Sequence, residues 1–97
     1  MKLEASTQVL EGLTTENFPL ISQGAERLKK MSTEERWRVR HDPLYREYSA
    51  EFAQHVERLL EKAKAHNIDG ATLAWVECTM SCVRCHNHVR GIKLAGN

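Results

Sequence analysis

The stretch PLYREYSAEFAQHVERLLEKAKAHNIDG, residues 43–70, decides the fold of this chain. Its aromatic and aliphatic residues recur at intervals of three and four, which is the spacing of one face of an α-helix. That face consists of Tyr45, Tyr48, Phe52, Val56, Leu59 and Ala63. Asp42 and Pro43 offer an N-cap and a first-turn proline, so we predict a helix from Pro43 to His66 that ends near Asn67.

The segments before this helix show the same spacing. A first helix is predicted over about Lys2–Leu13, with an apolar stripe of Leu3, Leu10 and Leu13. A second is predicted over about Asn17–Met31, with Pro19 in its first turn and a stripe of Phe18, Ile21, Ala25 and Leu28. Ser32 and Glu35 have the spacing of a capping box, which predicts a separate short helix carrying Trp37.

After the third helix, Asp69 is the predicted cap of a fourth helix over about Gly70–Arg90. Its expected core stripe is Leu73, Val76, Met80 and Val83. The alternation typical of strands is absent from nearly the whole sequence, and the joins between helices are short. We therefore predict an all-α fold, a single-domain antiparallel up-down-up-down four-helix bundle over residues 1–97.

Charge and hydropathy exclude several classes of function. The chain carries 14 Lys and Arg against 13 Asp and Glu, for a formal net charge of +1. This balance gives no case for binding nucleic acid or an anionic membrane surface. No stretch approaches the roughly 18 consecutive apolar residues of a membrane span. The start of the chain lacks the order of a signal peptide, so an exported form is expected to be already processed.

The stretch ECTMSCVRCHNHVRG, residues 77–91, carries the chemistry. Its C-x-x-C-H motif, Cys82, Cys85 and His86, is typical of c-type haem attachment, in which two thiols form thioethers and the histidine binds iron. Cys82 and His86 are four apart and share a helix face. A zinc site would need a second pair of ligands at similar spacing, and the other histidines do not supply one. A redox C-x-x-C is expected at the start of a helix that follows a strand, whereas this motif lies near the end of a helix in a chain predicted to have no strands.

The motif near the C-terminus of a four-helix chain, with an arginine four residues after the histidine, resembles the cytochrome c prime family of class II c-type cytochromes. The likeness lies in AEFAQHVERLLEKAKAHNIDG and CVRCHNHVR and extends over helices two to four. It implies one covalent haem c, with Cys82 and Cys85 as thioether anchors, His86 as proximal ligand and Arg90 beside it. It also implies a homodimer, or a dimer with a related subunit, in contact through the first two helices. The first helix here is shorter than the family's.

The sixth iron position depends on the first helix. If the first helix lies antiparallel to the fourth, two residues at the same height along the two helices have numbers that sum to about 84. His86 is then at the height of the first residues of the chain. Met1 is then the candidate distal ligand, through its thioether. The alternative is an apolar lid of Leu3 and Leu10 over five-coordinate iron. Further residues expected to line the cofactor are Thr79 and Val83.

These features predict an electron carrier with six-coordinate iron and a redox partner protein. The alternative is a gas-binding protein with a vacant site for NO or CO. An enzyme is not expected, because the first helix offers no acid–base residue beyond Glu4 and Glu11. Thioether attachment predicts a periplasmic or equivalent exported compartment. Cys78 is predicted to be a buried, inert thiol, and His88 to be solvated.

Overall fold

Four helices form the regular structure of the described part of the chain. The structure, a computed structural model, describes residues 2–38 and 42–95, and the side chains of residues 3–33, 42–88 and 90. The helices are α1 (Lys2–Thr14), α2 (Phe18–Arg38), α3 (Pro43–Lys64) and α4 (Ile68–Ala95). No strand occurs within the described ranges, so the predicted all-α four-helix architecture is confirmed to that extent.

Each helix packs mainly on its neighbours in sequence. Contacts between α1 and α2, between α2 and α3 and between α3 and α4 are extensive, whereas α1 touches α4 only slightly. The molecule measures about 45 × 20 × 19 Å. The architecture is therefore two helical hairpins, α1–α2 and α3–α4, packed side by side through α2 and α3.

The two hairpins are closed by the same kind of turn. Glu16 and His66, exactly fifty positions apart in sequence, both have positive φ, of 53° and 55°. Each is followed by an asparagine, Asn17 or Asn67, whose Oδ1 accepts a hydrogen bond from the backbone N–H three residues on, at 3.2 and 2.9 Å. The rings of Phe18 and His66 stack with centroids 4.6 Å apart, so both turns lie at one end of the bundle.

This turn corrects the predicted start of the fourth helix. Asn67 rather than Asp69 is the N-cap, because its Oδ1 accepts from the N–H of Gly70, and α4 begins at Ile68. It also continues past Gly91 to Ala95. The start of α3 is as predicted, since Asp42 is its N-cap and accepts a bond of 3.2 Å from the N–H of Tyr45.

The predicted separate helix beginning at Ser32 is wrong. α2 runs unbroken from Phe18 to Arg38 and passes through the capping-box sequence. Ser32 is buried, and its Oγ lies 3.2 Å from Oγ of Ser49 on α3. A contact between two helices therefore replaces the local cap. The side chain of Trp37 lies outside the described side chains.

The core confirms two of the predicted helix faces and corrects the other two. The stripes of α2 and α3 are buried, with Phe18 and Tyr48 half-buried. On α1 the buried residues are Ala5, Val9 and Leu13, while Leu3 and Leu10 are exposed. On α4 the predicted stripe is exposed, and the buried apolar residues are Ala71, Ala74 and Cys78. Small residues line α4 where it meets its neighbours, because a close approach of two helices leaves little room for side chains.

No helix within the described ranges is both long enough and apolar enough to cross a lipid bilayer.

Candidate cofactor site

The CVRCH motif lies in the second half of α4 and borders a small pocket. Cys82, Cys85 and His86 all line this pocket, whose volume is about 20 Å³. The structure therefore brings together the three residues that the motif singled out. The remaining lining residues come from α2, α3 and α4 and are Ser32, Tyr45, Tyr48, Ser49, Phe52 and Ser81.

The wall facing the motif is aromatic and comes from α3. Tyr45 and Phe52 are buried and Tyr48 is half-buried. They occur at intervals of three and four, so one face of α3 presents all three rings. Sequence reasoning placed these residues in the core and did not assign them to the site.

Ion pairs join α3 and α4 along this wall. Arg84 lies 3.3 Å from Glu51, and Arg58 lies 2.6 Å from Glu77. The imidazole of His55 lies between the two carboxylates, with Nδ1 3.2 Å from Glu77 and Nε2 3.9 Å from Glu51. The Nδ1 contact is close enough for an ion pair but is not aligned for a hydrogen bond. Because His55 faces each carboxylate with a different ring nitrogen, the three groups cannot share one metal ion.

The three thiols of α4 have two kinds of surroundings. Cys82 and Cys85 are half-buried at the pocket, and neither is in a disulfide. Cys78, one turn before Cys82, is fully buried. Burial, which disfavours the thiolate, raises the pKa of Cys78 to about 12. The prediction that Cys78 is buried is thus confirmed, and its thiol is protonated at neutral pH.

The floor of the pocket is polar. Ser32, Ser49 and Ser81 are all buried, at 2%, 6% and 1% exposure. The hydroxyls of Ser32 and Ser49 form a hydrogen bond with each other, whereas Oγ of Ser81 has no hydrogen-bond partner among the described residues. Buried hydroxyls in an otherwise apolar core were not anticipated from the sequence.

His88 is not solvated as predicted. It is half-buried, and its Nε2 lies 3.1 Å from Oδ2 of Asp42. The centroid of its ring lies 5.4 Å from the ring centroid of Tyr48. The pKa of Asp42 lies below its ordinary value of 3.8, mainly because the N–H of Tyr45 donates to its carboxylate and also because His88 is close. This contact ties the start of α3 to α4 near the motif.

Several residues predicted to line the cofactor lie outside the pocket. Leu3 and Leu10 on α1 are 71% and 52% exposed, and Val83 on α4 is 54% exposed. Thr79 is exposed and donates to the carbonyl of Trp75 at 3.0 Å. Their contact with a cofactor stays a prediction. Met1, the candidate distal ligand, lies outside the described residues.

Arg90, which the resemblance places beside the proximal histidine, is exposed on the last described turns of α4. Its guanidinium donates to Oδ1 of Asn87, one turn earlier on the same helix. The side chain thus lies along the surface of α4, outside the pocket. Its role next to His86 stays a prediction.

The other histidines whose side chains the structure describes do not complete a second ligand set with the motif. His66 stacks on Phe18 at the turn end, and His41 lies outside the described residues. Among the described side chains, no group of three His, Cys, Asp or Glu is arranged to hold a metal ion.

Comparison of the chain with models of protein families, with curated proteins and with solved structures found no match.

Proposed function

We propose that this protein is a c-type cytochrome of the cytochrome c prime kind, which carries one covalent haem c and transfers electrons. One observation supports the proposal most. Two thiols and an imidazole, at the spacing of C-x-x-C-H, border one pocket with an aromatic wall. The thiols of Cys82 and Cys85 are half-buried, so the pocket would offer an apolar macrocycle both covalent anchors and aromatic contacts.

Each residue of the motif has a defined role in this proposal. The S–H of Cys82 and that of Cys85 would each add across one vinyl group, forming a C–S bond with no leaving group. His86, which is exposed and lies four residues after Cys82, would offer a ring nitrogen to the iron. When bound, haem would supply the one-electron redox couple. The protein's part is to anchor it and to place His86.

The size of the pocket adds a requirement. A volume of about 20 Å³ holds one water molecule and is far too small for a porphyrin. Attachment therefore requires this end of the bundle to open between α4 and its neighbours. Exposed apolar side chains of the motif, such as Val83, would then gain a surface to cover them. We expect the haem-loaded protein to be more resistant to unfolding than the haem-free chain, because a ligand that binds only the folded state stabilises it.

The test is to express the chain in cells that attach haem c to exported proteins and to extract the purified protein with acidic organic solvent. We expect haem to stay with the wild type and to be extracted from the Cys82→Ala, Cys85→Ala double variant. Cys78→Ala is the matched control, since it removes the third cysteine of the same helix outside the motif, and it should retain covalent haem. A wild type without covalent haem would refute the proposal.

The visible spectrum distinguishes the electron carrier from a gas-binding protein. A low-spin spectrum that is unchanged by CO supports six-coordinate iron and electron transfer. A high-spin spectrum that shifts on adding CO supports the vacant site. Removing Met1 should convert a low-spin protein to a high-spin, CO-binding one if Met1 is the distal ligand. Identical low-spin spectra with and without Met1 would exclude it from that role.

We further propose an exported, periplasm-like location and a homodimer. The resemblance places the dimer contact on the first two helices, and Leu3 and Leu10 of α1 are exposed and available for it. Light scattering on the haem-loaded protein should give twice the monomer mass. A monomer at micromolar concentration would contradict the dimer without affecting the haem proposal.

A further inference from the structure

We propose that the serine cluster at the floor of the pocket, Ser32, Ser49 and Ser81, binds one water molecule that links the three helices beneath the CVRCH motif. The observation behind this is the hydroxyl of Ser81. It is 1% exposed, it lines the pocket, and it has no hydrogen-bond partner in the described part of the chain. A buried hydroxyl without a partner is costly, so such groups usually bond to protein or to ordered water.

Other hydroxyls on these helices, which are exposed, bond to the backbone of their own helix. Thr7, Thr72 and Thr79 each donate to the backbone carbonyl four residues earlier, at 2.9, 2.8 and 3.0 Å. This is the ordinary arrangement for a hydroxyl within a helix. The hydroxyl of Ser81 makes no such bond and lines the pocket. Ser32 and Ser49, which are also buried, bond to each other between α2 and α3.

The count of protons matches one water. Each hydroxyl has one proton to donate and two lone pairs to accept. In the bond of 3.2 Å between Ser32 and Ser49 only one of the two hydroxyls donates, so the proton of the other is not used in that bond. That proton and the proton of Ser81 can both be accepted by the two lone pairs of one water molecule. The water keeps its own two protons for the spare lone pairs of the serines.

The space also matches. A cavity needs roughly 10–15 Å³ to hold a water, together with two to four polar partners. The pocket offers about 20 Å³ and three buried hydroxyls from α2, α3 and α4. The site thus takes a ligand with the size and hydrogen-bonding capacity of water. It needs no haem, and it can be tested on the chain whatever the outcome of the haem experiments.

The test is the sign of the change in melting temperature for Ser81→Ala. If a water links Ser81 to the serine pair, the variant loses a hydrogen-bonded link, and we expect its melting temperature to fall by about 4–8 °C. If the hydroxyl has no partner, its removal relieves a buried polar group and the melting temperature rises. A rise or no change overturns the proposal. Ser6→Ala, at a half-buried helical serine outside the pocket, is the matched control.

A second measurement distinguishes the water from a direct contact. In a double-mutant cycle, Ser81→Ala and Ser49→Ala should be non-additive, because both remove a bond to the same molecule. A high-resolution crystal structure should show one water within hydrogen-bond distance of Ser81 Oγ and of Oγ of Ser32 or Ser49. Additive effects, or a crystal structure in which Ser81 bonds directly to protein, would refute the bridging water.

Discussion

Gly24 is one of two glycines at which α1 and α2 approach each other closely, the other being Gly12. A Cβ added at Gly24 would lie 2.7 Å from Cγ2 of Val9, 3.0 Å from the carbonyl oxygen of Ala5 and 3.1 Å from the N–H nitrogen of Val9. Two of these three atoms belong to the backbone of α1. A Gly24→Ala substitution therefore cannot be accommodated by rotating one side chain, and α1 has to shift.

Two opposing terms set the magnitude. Alanine is favoured over glycine within a helix by about 1 kcal/mol, which would stabilise the variant. Overpacking a filled contact costs about 1–3 kcal/mol. We expect the overpacking to prevail, with a net loss of about 1 kcal/mol, or roughly 4–8 °C in melting temperature for a domain of this size. Thermal unfolding followed by circular dichroism measures this loss.

Gly70→Ala is the matched control because it adds the same methyl group at another helical glycine. There the nearest atoms belong to side chains, Nδ2 of Asn67 at 2.7 Å and Cδ of Lys62 at 2.9 Å. Lys62 can turn aside, whereas the amide of Asn67 caps α4 and has to shift, so we expect the gain in helix propensity and the weakened cap to offset each other to within about 1 kcal/mol. Val9→Ala should partly rescue Gly24→Ala, since it removes the closest contact. A stabilising Gly24→Ala, or additive effects of the two changes, would refute the close packing of α1 on α2.

Three further predictions follow from the turns, the N-cap and the buried thiol. Glu16→Gly should raise the free energy of unfolding by about 0.5–1 kcal/mol, because glycine adopts positive φ without strain. His66→Gly should gain less, since it loses the stack on Phe18. Equal gains in urea titrations would contradict the role of the stack. The lowered pKa of Asp42 means that its contribution to stability is complete above its ordinary value of 3.8 and is lost as pH falls through the folded value. Asp42→Asn keeps a good cap without the charge, so its melting temperature should fall less than that of the wild type as the pH is lowered below 3.8; parallel curves would oppose this assignment. In the haem-free chain, iodoacetamide should modify Cys78 only after unfolding, because the thiolate is the reactive form and burial raises the pKa to about 12; mass spectrometry showing native Cys78 modified as fast as Cys82 would contradict it.

The buried faces of α2 and α3 were predicted well, although the length of α2 was not, because large apolar residues on these helices face the core. Ile21, Leu28, Phe52 and Val56 are buried as their spacing indicates. The same reasoning failed on α4, where size and hydrophobicity predicted a core face of Leu73, Val76, Met80 and Val83. The core face of α4 instead consists of alanine, cysteine and serine, because these small residues allow close packing between helices. Periodicity measures where hydrophobic residues recur, and it does not show which face has room for them.

The candidate site shows a similar division. The motif alone identified Cys82, Cys85 and His86, because its spacing is local. The α3 wall depends on how two helices meet, which a local pattern does not record. A signal was nevertheless present, since α3 and α4 are antiparallel neighbours joined by a short turn. Two residues that face each other across α3 and α4 have numbers that sum to about 133, and this places Tyr48 opposite Cys85.

The turn end of the bundle offers a practical handle for attaching this protein to a surface. The exposed residues Thr15 and Glu16 lie at that end, and His86 lies about 28 Å away along α4 from Asn67. With Cys82 and Cys85 joined to haem as proposed, the remaining native cysteine, Cys78, is buried and protonated. A cysteine introduced by Thr15→Cys would then be the accessible thiol for coupling to a gold electrode. Every immobilised molecule would stand with its CVRCH end toward the solution, where a soluble redox partner could reach it.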